Sequence, residues 1–134
     1  TKDGGCYQDF QNGAISWSPG TGAWETYGPI RARWQALKFE TGVLGYPVGG
    51  YTCGTKDGGC YQDFQNGAIS WSPATGAWET HGDIRAYWRT EGYEAGVLGY
   101  PTGEVTTTSA GLAQSFQGGI ATWNSLTKVV TVAP

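Results

Sequence analysis

TKDGGCYQDFQNGAISWSP, residues 1–19, returns letter for letter as residues 55–73, and that return decides how the chain is organised. The offset of 54 that separates Cys6 from Cys60 holds over two units, in which about seven positions in ten agree. A partial third copy, SFQGGIATWNS at 115–125, places Phe116, Gln117, Gly119 and Trp123 where Phe64, Gln65, Gly67 and Trp71 stand. Near-identical units present the same surface several times, whereas catalysis needs dissimilar groups converging on one point. Multivalent binding is the first hypothesis this pattern supports.

Within a unit, YQDFQNGAISW reads as two strands joined at Asn12-Gly13, a type I′ turn signal. With Gln11 paired to Ala14, Phe10 faces Ile15 and Gln8 faces Trp17, so Phe10, Ile15 and Trp17 are expected in the core. Tyr7, Asp9, Gln11 and Ser16 fall on the opposite face. SPGTG then leads to a third strand, AWETYG, whose register alternation does not settle. A helix follows, with Asp83 as the expected N-cap of IRAYWRTEG, Gly92 as its stop and Pro29 in the first turn of the earlier copy. Ile30 with Trp34, and Ile84 with Trp88, are spaced i and i+4 on one face. GVLGYP, at 42–47 and 96–101, should plug the core with Leu44 or Leu98 and turn back to the next hairpin.

The expected fold class is therefore α+β: tandem units of 54 residues, each an antiparallel hairpin or three-stranded meander plus one short helix. The divisions are 1–54, 55–108 and a partial unit 109–134 that serves as a C-terminal β cap, all packed as one domain.

Composition narrows the function. Of 134 residues only 14% are charged, the net charge is −3 and no basic run occurs, which argues against nucleic acid and anionic membranes. No apolar run reaches the roughly 18 residues of a membrane span. No signal peptide is visible, so a mature product or excised fragment is expected. The 23 Gly, 7 Trp and 8 Tyr suit short strands and aromatic binding surfaces.

The three cysteines gain meaning from the period. Cys6 and Cys60 are equivalent, while Cys53 has Thr107 as its counterpart. A C-x6-C pairing of Cys53 with Cys60 is expected, leaving Cys6 to a cysteine of an upstream unit; a Cys6–Cys53 bridge or three buried thiols remain open at this stage. A bridge would imply an oxidising, secreted compartment.

FQNGAISWSPxTGAW, G-x-I-R-A-x-W and GVLGYPxG together resemble the LGFP repeat, named for the tetrapeptide that stands here as LGYP. The resemblance covers both full units and the third partial one. It implies an extracellular microbial module that holds an enzyme domain of the parent chain on cell-wall polysaccharide, arabinogalactan in mycolate-bearing species. The cysteines and the Trp at 24 and 78 depart from the usual pattern of such repeats.

Sugar recognition uses flat aromatic faces and planar polar groups. Trp24 and Trp78, beside Glu25 and Glu79, form the first candidate cluster, with burial between units as the competing role. Tyr7 with Asp9, and Tyr61 with Asp63, form the second, with a solvated strand face as the competing role. Trp17, Trp71, Trp34, Trp88 and Trp123 are assigned to the core. Arg31 and Arg85 suit either an acidic sugar or a nearby carboxylate. Catalysis has little support: the one histidine, His81, has Tyr27 as its counterpart, and Glu91 with Glu94 resemble a solvated helix end. Neither a serine nucleophile motif nor zinc-ligand spacing occurs. The reading is a non-catalytic binding module without cofactor or metal; the alternative is a protein-interaction or structural array.

Overall fold

The computed structural model describes residues 1–134. After a single 3-10 turn at Lys2–Gly4, β1 (Cys6–Phe10), β2 (Gly13–Ser18) and β3 (Gly22–Tyr27) form an antiparallel sheet in that order. β3 runs directly into α1 (Gly28–Ala36), a turn that needs the positive φ of 59° at Gly28. The second unit repeats the plan with an added edge strand: β4 (Thr52–Thr55), β5 (Gly59–Phe64), β6 (Gly67–Ser72) and β7 (Gly76–His81), then α2 (Gly82–Thr90). A third antiparallel sheet, in the order β11-β10-β9-β8, is built from β8 (Thr106–Thr107), β9 (Gly111–Phe116), β10 (Gly119–Asn124) and β11 (Val130–Ala133).

Helices and sheets alternate. α1 packs against β3 of its own unit and against β6 and β7 of the next, while α2 packs against β7 and against β10 and β11. Each hydrophobic core therefore belongs to two units. Ile30, Trp34 and Leu44 of the first unit meet Cys60, Phe64 and Ile69 of the second. Ile84, Trp88 and Leu98 meet Phe116 and Ala121. The i, i+4 faces of the helices and the plugging leucines sit where the sequence places them, and Trp34 and Trp88 are fully buried.

The turn after each helix clamps the next hairpin. The Gln65 and Asn66 amides donate to the Tyr46 and Leu44 carbonyls, both at 2.9–3.0 Å, and the Tyr46 amide donates back to Gln65 Oε1 at 2.9 Å. The Tyr46 hydroxyl reaches the Lys2 carbonyl, so one tyrosine ties the second hairpin to the start of the first unit. Tyr100 repeats both bonds with Gln117 and Lys56. Gln62 and Gln114, buried in the sheets, add a further seam. Their amides donate to the Glu25 and Gly49 carbonyls and to the Glu79 and Gly103 carbonyls respectively.

Several expectations need correction. The hairpin turns at Gln11-Asn12, with Phe10 opposite Gly13 and Gln8 opposite Ile15, and neither turn residue has positive φ. Gly13 is needed for packing instead: a Cβ there would strike the Thr26 carbonyl on β3. The partner of each residue moves by two, so the residues that remain in the strands keep the faces assigned to them, while Gln11 passes into the turn. Phe10, Ile15 and Trp17 nevertheless are not core. They are 55%, 40% and 41% exposed, against 3% for Phe64 and 0% for Ile69, because no helix covers that face of the first sheet. Trp71 and Trp123 are half-buried at the rims of the two cores. Asp83 lies within the first turn of α2 and makes no side-chain cap; Gly92, at φ 98°, does follow the helix as its stop.

Cys53 and Cys60 are joined by a disulfide, and Cys6 is a free, exposed thiol. The bridge links adjacent antiparallel strands β4 and β5, in which the two residues stand directly opposite. Neither helix is long and apolar enough to cross a membrane.

Candidate functional site

β1 places Tyr7 and Asp9 on one face of the first sheet, and the pairing Tyr7–Ser16–Trp24 carries that row across β2 to β3. α1 lies over this face and turns Arg31 toward it. The Arg31 guanidinium is held from three sides: it donates to Thr26 Oγ1 at 2.8 Å, lies 3.7 Å from Asp9 Oδ1, and sits 5.1 Å from the centre of the Phe39 ring. Tyr7, Asp9, Ser16, Arg31, Trp34, Phe39 and Glu40 line a cleft of about 370 Å³.

The second unit builds the same cleft again. Arg85 donates to Thr80 Oγ1 at 2.8 Å, lies 3.6 Å from Asp63 Oδ1 and sits 5.6 Å from the Tyr93 ring centre. Tyr61, Asp63, Ser70, Arg85, Trp88, Tyr93 and Glu94, with Thr55 and Ala68, line about 250 Å³. Both clefts are open, and their volumes fall at or just below the lower end of the range of about 300 to 1,000 Å³ for ligand pockets. Each offers an aromatic wall, a fixed cation and exposed carboxylate oxygens within a few ångströms of one another. Such a set can donate to one hydroxyl and accept from its neighbour while a ring packs on carbon-bound hydrogens.

Trp24 and Trp78 lie at the far edge of the same sheet faces, half-buried, and do not line the clefts. Their indole N–H groups donate to Thr21 and Thr75 carbonyls at 2.6 and 2.7 Å, closing the preceding turn. The Arg33 guanidinium stacks 4.7 Å from the Trp78 ring. Glu25 and Glu79 point to the opposite face from these tryptophans. Glu25 accepts the Tyr51 amide, and Glu79, 2% exposed, accepts Arg33 Nε at 2.8 Å and the Val105 amide at 3.2 Å. Both carboxylates hold the segment that leads to the next sheet.

The structure thus brings Tyr7 with Asp9, and Tyr61 with Asp63, into one cleft each, and leaves the Trp and Glu candidates outside. Ser16 and Ser70 join from the neighbouring strand of the same hairpin, and the arginines, Phe39 and Glu40, with counterparts Tyr93 and Glu94, from the helix and the turn after it. Their signal was present: Arg31/Arg85, aromatic Phe39/Tyr93 and Glu40/Glu94 are all kept between the two units.

The LGFP repeat family model matches residues 1–42 and 44–96. The chain belongs to the LGFP repeat family. No curated protein matches it. LGFP repeats are a non-enzymatic repeat family, and each cleft of this chain lies wholly within one matched segment, Tyr7 to Glu40 in the first and Thr55 to Glu94 in the second. The conformational work of the LGYP tetrapeptides is also plain from the geometry: Leu fills the core, Tyr clamps, and Pro47 and Pro101 bridge to Phe64 and Phe116 of the following sheet.

Proposed function

We propose that this chain is a secreted, non-catalytic module that binds cell-wall polysaccharide through its two equivalent clefts and so anchors an enzyme or surface protein. The observation that carries the reading is the duplication of one cleft, with Tyr, Asp, Ser, Arg, Trp, an aromatic ring and Glu in equivalent places. A polymer with repeating sugar units can engage both at once. Two weak sites on one rigid array then gain avidity on the order of 10² or more over one site. Arabinogalactan or another wall glycan is the ligand class, and the Cys53–Cys60 bridge supports an oxidising, extracellular setting. The competing role, a protein-interaction or structural array, draws on the exposed apolar face of the first sheet.

The test is retention on purified walls and on peptidoglycan stripped of its secondary polysaccharide. Wild type should bind the first and not the second. Asp9→Asn/Asp63→Asn should lose retention with its unfolding midpoint unchanged, and soluble wall glycan should compete. Equal binding to stripped peptidoglycan, or full retention by the double variant, would overturn the reading.

A further inference from the structure

We propose that the outer face of the first sheet is a docking surface for the helix and Leu-Gly-Tyr-Pro turn of a further LGFP repeat, placed before Thr1 in the same polypeptide. Phe10, Ile15 and Trp17 are exposed there, whereas their equivalents Phe64 and Ile69 are buried under α1 and Leu44, and Trp71 is half-buried at the same core. The sequence of the face is identical in the two units, so the surface that receives α1 in one place stands open in the other.

Polar groups on this face are unpartnered in the same pattern. Gln62 and Gln114 each donate two bonds to carbonyls of the preceding unit, at 2.6 to 3.0 Å, but the Gln8 amide is exposed and makes none. Gln65 and Gln117 each accept an amide from the tyrosine of the preceding turn, a role Gln11 does not fill. Cys60 is bridged to Cys53, while Cys6, opposite Trp17 in the sheet, is free. Apolar side chains, Gln8 and a thiol on this face, with Gln11 in the turn at its end, all call for the same occupant. It must carry Ile and Trp four residues apart on a helix, a Leu-Gly-Tyr-Pro turn, carbonyls after it, and a cysteine seven residues before Cys6 in register.

A second copy of these 134 residues does not supply that occupant. Both of its helices already lie between two sheets, with Ile30, Trp34, Ile84 and Trp88 at 0 to 2% exposure. The free face therefore fits an additional unit and not self-association.

The test compares the 134-residue chain with a chain in which a copy of residues 1–54 precedes Thr1. The new junction, Gly-Thr-Lys-Asp-Gly-Gly, repeats the native one at Gly54–Gly59. In the longer chain Cys6 should resist alkylation under non-reducing conditions. Amide exchange in β1 and β2 should slow by at least about tenfold relative to the shorter chain. Of the added unit's two cysteines, replacing the equivalent of Cys53 by serine should restore alkylation of Cys6 without reductant while keeping the amide protection, since the apolar docking remains. Unchanged exchange in β1 and β2 together with full Cys6 reactivity would overturn the proposal. So would a dimer of the 134-residue chain with Cys6→Ser whose interface protects β1 and β2, because the face would then have a different occupant.

Discussion

The indole N–H of Trp34 donates to the Gly45 carbonyl at 3.0 Å, and Trp88 repeats the bond to Gly99 at 2.9 Å. A fully buried helix residue thereby holds the turn that clamps the next sheet. Trp34→Phe removes the donor, leaves a buried carbonyl unpaired and opens a small cavity. The expected loss is about 3 kcal/mol, read from urea unfolding; a loss near zero would show that the turn holds without the indole.

Glu79 and Arg33 form the one ion pair in which both side chains are largely buried, 3% and 17% exposed, and it joins α1 to β7 across two units. Burial by itself would lower the Arg33 pKa, and the Glu79 bond outweighs it, with Glu104 adding to the rise. Removing Glu79 leaves the largely buried Arg33 with only the exposed Glu104 carboxylate as a partner. Glu79→Ala should cost roughly 3 kcal/mol, clearly more than Glu25→Ala, whose carboxylate has no arginine partner. Equal midpoints for the two variants would refute the asymmetry.

The disulfide has one buried and one exposed end, Cys60 at 6% exposure and Cys53 on the edge strand. Reduction should lower stability by about 2 kcal/mol through the freed loop. Cys60→Ser should lower it further than Cys53→Ser, because a hydroxyl replaces sulfur among Trp34, Phe64 and Ile69. Calorimetry of the two variants decides the order.

His81 is half-buried, and that burial holds its pKa below the ordinary 6.5 against the opposing pull of Glu79. The folded state thus binds fewer protons than the unfolded one between its lowered pKa and 6.5. Stability from this group is complete above pH 6.5 and falls as pH drops through that window. His81→Tyr, which restores the residue of the first unit, should flatten the acid limb of a melting-temperature profile between pH 7 and 5. An unchanged limb would mean another group sets it.

Arg31 and Arg85 are each fixed by a threonine hydroxyl, an aspartate and an aromatic ring. A lysine keeps the charge but lacks the planar fork. Arg31→Lys/Arg85→Lys should reduce wall retention about as far as replacing both arginines by Gln. Retention close to wild type would assign the arginines a purely electrostatic part.

The sequence by itself determined the repetition, the order of strands and helix within each unit, the faces of the first two strands and the leucine plugs, and it favoured the Cys53–Cys60 bridge over two alternatives. These follow from local periodicity and from residues a few positions apart. The structure then closed off the two alternatives and settled the register of the third strand. Even the misplaced hairpin turn left the faces intact, because a shift of two in pairing preserves alternation. Only the tertiary structure decided which helix covers which face. Phe10 and Phe64 occupy identical local sequence, yet one lies open and the other is buried, since burial is conferred by a helix from the neighbouring unit. The clefts are equally non-local: Tyr7 and Asp9 come from β1, Arg31 from α1 and Phe39 from the turn beyond it. Glu25 and Glu79 illustrate the converse. Adjacent to Trp24 and Trp78 in the chain, they face away from them across the pleat, and partners more than twenty residues away fix what their carboxylates do.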